Sequence, residues 1–176
     1  MIRLFVAIRP PLAVREVLLA AMGGIDRARW QDDGQLHLTL AFAGEVDSAR
    51  AAELAKALED VESAPFKAEA AGVGHFERKG LPTAVWAGVP LTAPLAQLQR
   101  RVERACRRAG LATDKRHYRP HVTLARLPRS AGPAGEWLAR HGTLRAGPWD
   151  VSGFTLYESH LDPGGAAYDP LVDFAF

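Results

Sequence analysis

The sequence predicts an α+β fold with two pseudo-symmetric lobes, each an antiparallel sheet with helices on its outer side, around a central groove. Two observations predict it. Strand-like and helix-like periods follow the order β-α-β-α-β in one half of the chain and again in the other. A short motif, His-x-Thr-x, occurs once in each half at a similar distance from the first strand. We therefore expect one bilobal domain over residues 1–176, with duplicated halves at roughly 1–73 and 83–157 and a C-terminal closing strand.

The first half begins with an apolar run at 2–8 that predicts a strand, and a helical period follows it and ends at the Gly23-Gly24 pair. The next strand is predicted at 37–42. A second helix is predicted from about Ser48 to Val61, and alternation at 66–72 predicts a third strand.

The second half repeats this order after a Gly-rich, charged segment at 74–82, which we interpret as a turn or hairpin loop. A helix is predicted to end at Gly110, a residue typical of helix C-termini. The remaining predicted elements are strands at 83–89, 121–126 and 149–157, helices at 92–109 and 135–141, and a closing strand in the last six residues, LVDFAF.

The composition is that of an ordinary globular protein, with 48% hydrophobic and 24% charged residues among 176. No run approaches the roughly 18 apolar residues of a membrane span. The single cysteine, Cys106, excludes an intramolecular disulfide, and its helical spacing with apolar neighbours predicts a buried small hydrophobe. We expect a cytoplasmic monomer without membrane association.

Positive charge is concentrated in one segment of the chain. Ten Lys or Arg residues lie between Arg100 and Arg129, against two acidic residues, although the formal charge of the whole chain is only +2. Such a block favours a polyanionic partner such as RNA or a phosphorylated ligand. A solvated helix face would explain the same charges, so charge alone does not decide the function.

The two motifs place polar groups on one face of a strand. Because successive side chains of a strand alternate, His37 and Thr39 share one face about 7 Å apart, while Leu38, Leu40 and Phe42 are expected on the core side. In the second half, His121 and Thr123 repeat the polar pair. If the lobes face each other, two imidazoles and two hydroxyls converge in the groove.

That set of groups suits the cleavage of a phosphodiester. An in-line displacement needs a base on one side of phosphorus and an acid on the other, and two-fold symmetry supplies both sides. Histidine serves either role because its usual pKa is about 6.5. Threonine hydroxyls can donate to the phosphoryl oxygens. Neither motif contains an acidic residue, so we expect neither a metal nor another cofactor.

The segments HLTLAFAGEV and YRPHVTLARL resemble the paired signatures of the two-histidine phosphoesterase superfamily. More closely, the chain resembles the RNA 2',3'-cyclic phosphodiesterases of bacteria and archaea, first described as 2'-5' RNA ligases. LFVAIRPP, GHFERKGLPTAVWAGV and LYESHLDPGGAAYDPL also look familial, so the resemblance covers nearly the whole chain.

The resemblance implies hydrolysis of a terminal RNA 2',3'-cyclic phosphate to a 2'-phosphomonoester, with RNA, tRNA fragments included, as the partner. It also implies that His37 is the general acid, that His121 is the general base that activates water, and that Thr39 and Thr123 hold the phosphate. With a 5'-hydroxyl RNA in place of water, the same site would form a 2'-5' bond. The pseudo-symmetry leaves open an exchange of the two histidine roles.

Arg126 ends the second motif and is a candidate contact for substrate phosphate. Strict alternation directs it away from His121, so it reaches the groove only if the strand ends or bulges there. Phe42, Tyr118 and Trp86 are expected to be core residues rather than stacking platforms for bases. The other four histidines are expected to be solvated or capping residues: His75, His117, His141 and His160.

Two other functions remain open from the sequence. One is a two-histidine phosphoesterase that acts on a small cyclic nucleotide or on ADP-ribose cyclic phosphate. The other is an RNA-binding protein without turnover, whose salt-sensitive binding would survive the loss of both motif histidines.

Overall fold

The computed structural model describes all 176 residues. The helices are α1 (Leu12–Ala20), α2 (Ser48–Glu59), α3 (Ala93–Arg108) and α4 (Gly135–Arg140), and a 3-10 turn spans Asp33–Gln35. The strands are β1 (Ile2–Ile8), β2 (Arg29–Trp30), β3 (Leu38–Val46), β4 (Phe66–Ala71), β5 (Val73–Arg78), β6 (Leu81–Gly88), β7 (His121–Arg126), β8 (Arg145–Val151), β9 (Gly153–Asp162) and β10 (Gly165–Ala175).

The strands form one large and one small antiparallel sheet, which confirms the predicted α+β class. The large sheet has the order β10-β9-β1-β3-β7-β6-β5, with β2 beside β7, and the small sheet pairs β4 with β8. β3 and β7 share a single residue pair, Leu38 with Val122. Each sheet therefore contains strands from both halves of the chain.

Helix ends follow local chemistry. The side chain of Asp47 accepts a hydrogen bond from the backbone N–H of Arg50 at 2.8 Å and so caps α2. α3 has a proline in its first turn, where a backbone N–H is not needed. It stops before Gly110, whose φ of +74° is the left-handed conformation that glycine adopts most readily.

The main core joins both halves of the chain and comprises 37 buried residues. The amphipathic helix α3 buries five side chains in it: Leu95, Leu98, Val102, Ala105 and Cys106. Burial raises the pKa of the Cys106 thiol to about 11, so the cysteine is a packing residue, as its spacing predicts. None of the helices has both the length and the apolar character needed to cross a bilayer.

Two predicted elements are wrong. The segment at 74–82 is not a loop: it contains most of β5, a turn at Lys79 and Gly80, and the start of β6. Gly74 is part of β5. Only glycine fits at this position, because the indole ring of Trp86, its partner on β6, occupies the space that a side chain would fill. The strand predicted at 149–157 is divided at Ser152 between β8 and β9, which belong to different sheets.

Candidate active site

The two motif histidines lie at the seam between the lobes. His37 immediately precedes β3 and His121 begins β7, so each stands next to the Leu38–Val122 pair. Both side chains line one groove with a volume of about 1910 Å³. Thr39 and Thr123 line the same groove. The structure therefore brings together the four polar groups of the two motifs.

The same backbone contact fixes both imidazole rings. Nδ1 of His37 lies 2.7 Å from the carbonyl oxygen of Gln35, and Nδ1 of His121 lies 2.7 Å from that of Arg119. A carbonyl oxygen can only accept, so Nδ1 carries the hydrogen in each ring. Nε2 is then left free to take up or release a proton.

Aromatic rings form the wall around His37. Its ring centroid lies 4.8 Å from that of Phe5 on β1 and 5.0 Å from that of Tyr168 on β10. The pKa of His37 is lowered to about 4, mainly by burial and also by the charges of His121 and Arg126, although the Gln35 carbonyl opposes the shift. In the free protein, His37 is therefore neutral at pH 7.

A second aromatic wall surrounds His121. Phe76 on β5 meets its ring edge-on at 4.8 Å, and Trp86 on β6 lies at 5.7 Å. Burial is again the main cause that lowers the pKa of His121, and nearby Arg126 adds to it. A neutral imidazole with a free Nε2 is suited to accept a proton from water.

The threonine hydroxyls are available to a ligand. Neither Oγ1 makes a hydrogen bond within the protein, although both side chains face the groove. The backbone of Thr39 is held separately, because the hydroxyl of Tyr118 donates to its carbonyl oxygen at 2.7 Å. This bond joins the segment that precedes the second motif to the strand that carries the first. Burial raises the pKa of the Tyr118 phenol, so it stays a donor.

Arg126 lines the groove because β7 bulges. Thr123 pairs with Trp86 and Ala125 with Val85, so Leu124 has no partner on β6. The extra residue reverses the alternation of side chains, and Leu124 and Ala125 are both buried. The exposed Arg126 therefore lines the same groove as His121. The sequence alone allowed this position only if the strand ended or bulged, and the structure shows the bulge.

The expectation that Phe42 is a core residue is wrong. On β3, Thr39 pairs with Ala7 and Ala41 with Val6, which leaves Leu40 as a bulge. The bulge directs Phe42 into the groove, where its side chain is 60% exposed and its ring lies 6.3 Å from Phe5. An exposed ring on this surface can stack on a nucleobase.

The remaining histidines lie at or beyond the edge of the groove. His117 is exposed in the loop before β7 and lines the rim of the groove. The other three are not among the lining residues: His75 is near Glu77, His141 packs on Trp137, and His160 contacts Asp169. No group of His, Cys, Asp or Glu side chains is arranged to hold a metal ion.

Sequence reasoning missed the residues that hold the histidines: Phe5, Gln35, Phe76 and Tyr168. Gln35 had a usable signal, because it stands two residues before His37 as Arg119 stands before His121. The aromatic residues had none, since they come from strands that are distant in sequence and adjacent only in the folded sheet.

Comparison with known proteins agrees with this geometry. A family model described as the 2'-5' RNA ligase superfamily matches residues 13–163. The chain is 31% identical to the RNA 2',3'-cyclic phosphodiesterase of Archaeoglobus fulgidus, over 98% of this chain and 99% of that protein. It is 34% identical to the protein of the same name from Aeropyrum pernix, over 81% of this chain and 82% of that one.

The fold is also similar to a solved structure. The crystal structure of E. coli LigT complexed with 3'-AMP matches with a TM-score of 0.82 and 28% sequence identity, over 99% of this chain and 98% of that chain. These matches extend through both lobes and both motifs. They confirm the resemblance that the paired motifs indicate, and the chain belongs to the 2'-5' RNA ligase superfamily.

Proposed function

We propose that this protein is an RNA 2',3'-cyclic phosphodiesterase that uses His37 and His121 as an acid–base pair and leaves a 2'-phosphomonoester. The observation that carries the proposal is the matched pair of rings, each fixed through Nδ1 by a backbone carbonyl at 2.7 Å and facing one groove. The curated relatives that bear this name supply the substrate class.

Hydrolysis requires one group that removes a proton from water and another that donates a proton to the leaving 3' oxygen. The negative charge of the bound phosphate raises the pKa of His37, so this ring is protonated in the substrate complex. Water attacks phosphorus while Nε2 of His121 removes its proton, and the P–O3' bond breaks while Nε2 of the protonated His37 delivers a proton to the 3' oxygen. The hydroxyls of Thr39 and Thr123 donate to the phosphoryl oxygens, and Arg126 offsets the negative charge that grows there. Together these groups supply a complete displacement without a metal ion.

A 5'-hydroxyl in place of water gives the second reaction. Its oxygen attacks the same phosphorus, His121 takes its proton, and the 3' oxygen leaves with the proton of His37. The product is a 2'-5' phosphodiester between two RNA ends. Water is present at far higher concentration than any RNA end, so we propose hydrolysis as the main activity.

The size of the groove favours RNA over a small cyclic nucleotide. Pockets for small ligands measure about 300–1,000 Å³, whereas this groove measures about 1910 Å³. A cyclic mononucleotide or ADP-ribose cyclic phosphate would leave much of it empty.

We also propose that the protein is cytoplasmic and monomeric.

The test uses a short RNA that ends in a 2',3'-cyclic phosphate, incubated with the protein and a chelator. We expect a 2'-phosphate product at a rate that the chelator does not change. His37→Ala and His121→Ala should each lower kcat about 100-fold to 10,000-fold, the usual contribution of an acid or base. His75→Ala is the matched control, because this exposed histidine lies outside the groove.

Three results would contradict the proposal. A 3'-phosphate product would mean that the other oxygen leaves. Loss of activity with chelator would show a required metal. RNA binding without turnover, unaffected by either histidine variant, would identify an RNA-binding protein instead.

A further inference from the structure

Two arginines face each other at one end of the groove. β2 pairs with β7 so that Arg29 stands directly opposite Arg126. Directly paired residues of an antiparallel ladder have Cα atoms about 5 Å apart and side chains on the same face. Both residues are exposed, and both line the groove.

Neither of these arginines has a partner in the protein. Two of the other three groove arginines do: Arg3 pairs with Glu45 at 3.2 Å, and Arg116 pairs with Asp114 at 2.6 Å, whereas Arg119 has no ion pair. No acidic side chain lies within ion-pair distance of Arg29 or Arg126. Like charges directly opposite each other on neighbouring strands are destabilising. An anion placed between them would remove that cost.

The two arginines differ in their effect on the motif histidines. Arg126 lines the groove together with both motif histidines, and its charge lowers the pKa of each. Arg29 lies on β2, which pairs with the end of β7 away from His121, and its charge is not among the causes that shift the pKa of either histidine. With Arg126 at the reacting phosphate, Arg29 is left to bind a second anionic group next to it.

We propose that Arg29, which stands opposite Arg126, binds a second phosphate, the phosphodiester adjacent to the cyclic phosphate in an RNA chain. This inference rests on the proposed function. Arginine suits the role because its planar group binds phosphate oxygens in pairs. A nucleoside 2',3'-cyclic monophosphate lacks the second phosphate and leaves Arg29 unused. The subsite therefore selects RNA ends over cyclic mononucleotides.

The experiment compares two substrates in each protein. One is uridine 2',3'-cyclic phosphate, and the other is a uridine dinucleotide that ends in the same cyclic phosphate. The measured quantity is the ratio of their kcat/KM values, dinucleotide over mononucleotide. We expect the ratio to fall about tenfold or more in Arg29→Ala, the effect of one charge-assisted contact. Arg29→Lys should retain part of it.

Two controls separate the subsite from general effects of charge. Arg50→Ala removes an exposed arginine of α2 that does not line the groove, and its ratio should equal that of the wild-type protein. A neutral methylphosphonate at the internal linkage should lower the wild-type ratio to the level of Arg29→Ala and should not lower the ratio of Arg29→Ala further. An unchanged ratio in Arg29→Ala overturns the proposal.

A failure of the proposed function would look different. The wild-type protein would then hydrolyse neither substrate, and binding of 2'-phosphorylated mononucleotide and dinucleotide would test the subsite directly. We expect tighter binding of the dinucleotide by the wild-type protein and loss of that preference in Arg29→Ala. Equal binding of both ligands by the wild-type protein would overturn the subsite.

Discussion

Phe42 and Arg126 occupy matching positions in the two lobes. Each lies five residues after a motif histidine, and each is directed into the groove by a β-bulge two residues earlier, at Leu40 and at Leu124. Both lobes use a β-bulge, but the side chain that it directs into the groove is an aromatic ring in one lobe and a cation in the other. The groove thus has a two-fold arrangement of the motif histidines but different side chains, Phe42 and Arg126, at the matching positions beside them.

Phe42→Ala should raise KM while changing kcat little. The exposed ring lines the groove, and in the proposed RNA complex the stacking of a base on it would contribute about 1–3 kcal/mol. KM should therefore rise between about fivefold and about 150-fold. Steady-state kinetics on a cyclic-phosphate oligonucleotide measures this.

Leu81→Ala is the matched control for Phe42→Ala. Leu81 is also a large exposed apolar side chain, 50% accessible, but it lies outside the groove. Its KM should equal that of the wild-type protein. A Phe42→Ala variant with wild-type KM would show that the ring does not contact the substrate.

Arg126→Ala should lower the rate and move the pH profile in a defined direction. The Arg126 charge lowers the pKa of both His37 and His121. Its removal raises both pKa values, so the protonated form of His37 persists to higher pH. The alkaline limb of kcat, which reports the substrate complex, should shift to higher pH, while the maximum of kcat falls about tenfold or more with the lost charge-assisted contact.

The pH profile separates two roles of Arg126. Rates measured from pH 4.5 to 9 on one oligonucleotide locate both limbs in the wild-type and variant proteins. A lower maximum with unmoved limbs would mean that Arg126 acts only on the substrate. Arg126→Lys keeps the charge, so its limbs should stay near those of the wild-type protein while its maximum falls, because lysine cannot form the paired contact.

His37 should also make stability depend on pH. Its pKa is 6.5 when exposed to solvent and about 4 in the folded protein, mainly because of burial. Between these values the unfolded chain binds the proton and the folded chain does not, so the free energy of unfolding falls as the pH drops from 6.5 towards 4. The contribution of this group is at most about 3 kcal/mol, and water at the groove surface reduces it.

Urea unfolding at several pH values measures this dependence. His37→Asn removes the titrating group. The free energy of unfolding of this variant should therefore decrease less than that of the wild-type protein over the same pH interval. The carboxylates titrate in both proteins and cancel in the comparison. Parallel curves for the two proteins would contradict a low pKa for His37 in the folded state.

The paired motifs were predictable because they depend on residue identity and on strand alternation, which a sequence displays directly. The bulges at Leu40 and Leu124 were not, since nothing in HLTLAF or HVTLAR marks an unpaired residue. β5 was mistaken for a loop because Gly74 and its charged neighbours are typical of turns. The glycine is instead required by the Trp86 ring on the neighbouring strand, and this contact exists only in the folded protein.

Gln35 fixes the carbonyl that holds His37, and its substitution should lower kcat more than it changes KM. Its side-chain oxygen accepts from the backbone N–H of Asp32 at 2.9 Å, and its side-chain nitrogen donates to the carbonyl of Ala166 at 2.6 Å. Gln35→Ala removes both bonds and lets the turn before β3 move. Because small misplacements of a catalytic group are costly, we expect kcat to fall about tenfold to a hundredfold.

Gln35→Glu distinguishes the two bonds. Glutamate retains the acceptor that completes the capping box with Asp32, but it cannot donate to Ala166. Since the turn sets the position of the Gln35 carbonyl, Gln35→Glu should recover most of the kcat that Gln35→Ala loses, with KM near wild type in both. Equal losses in the two variants would instead assign the positioning to the β9–β10 hairpin through Ala166.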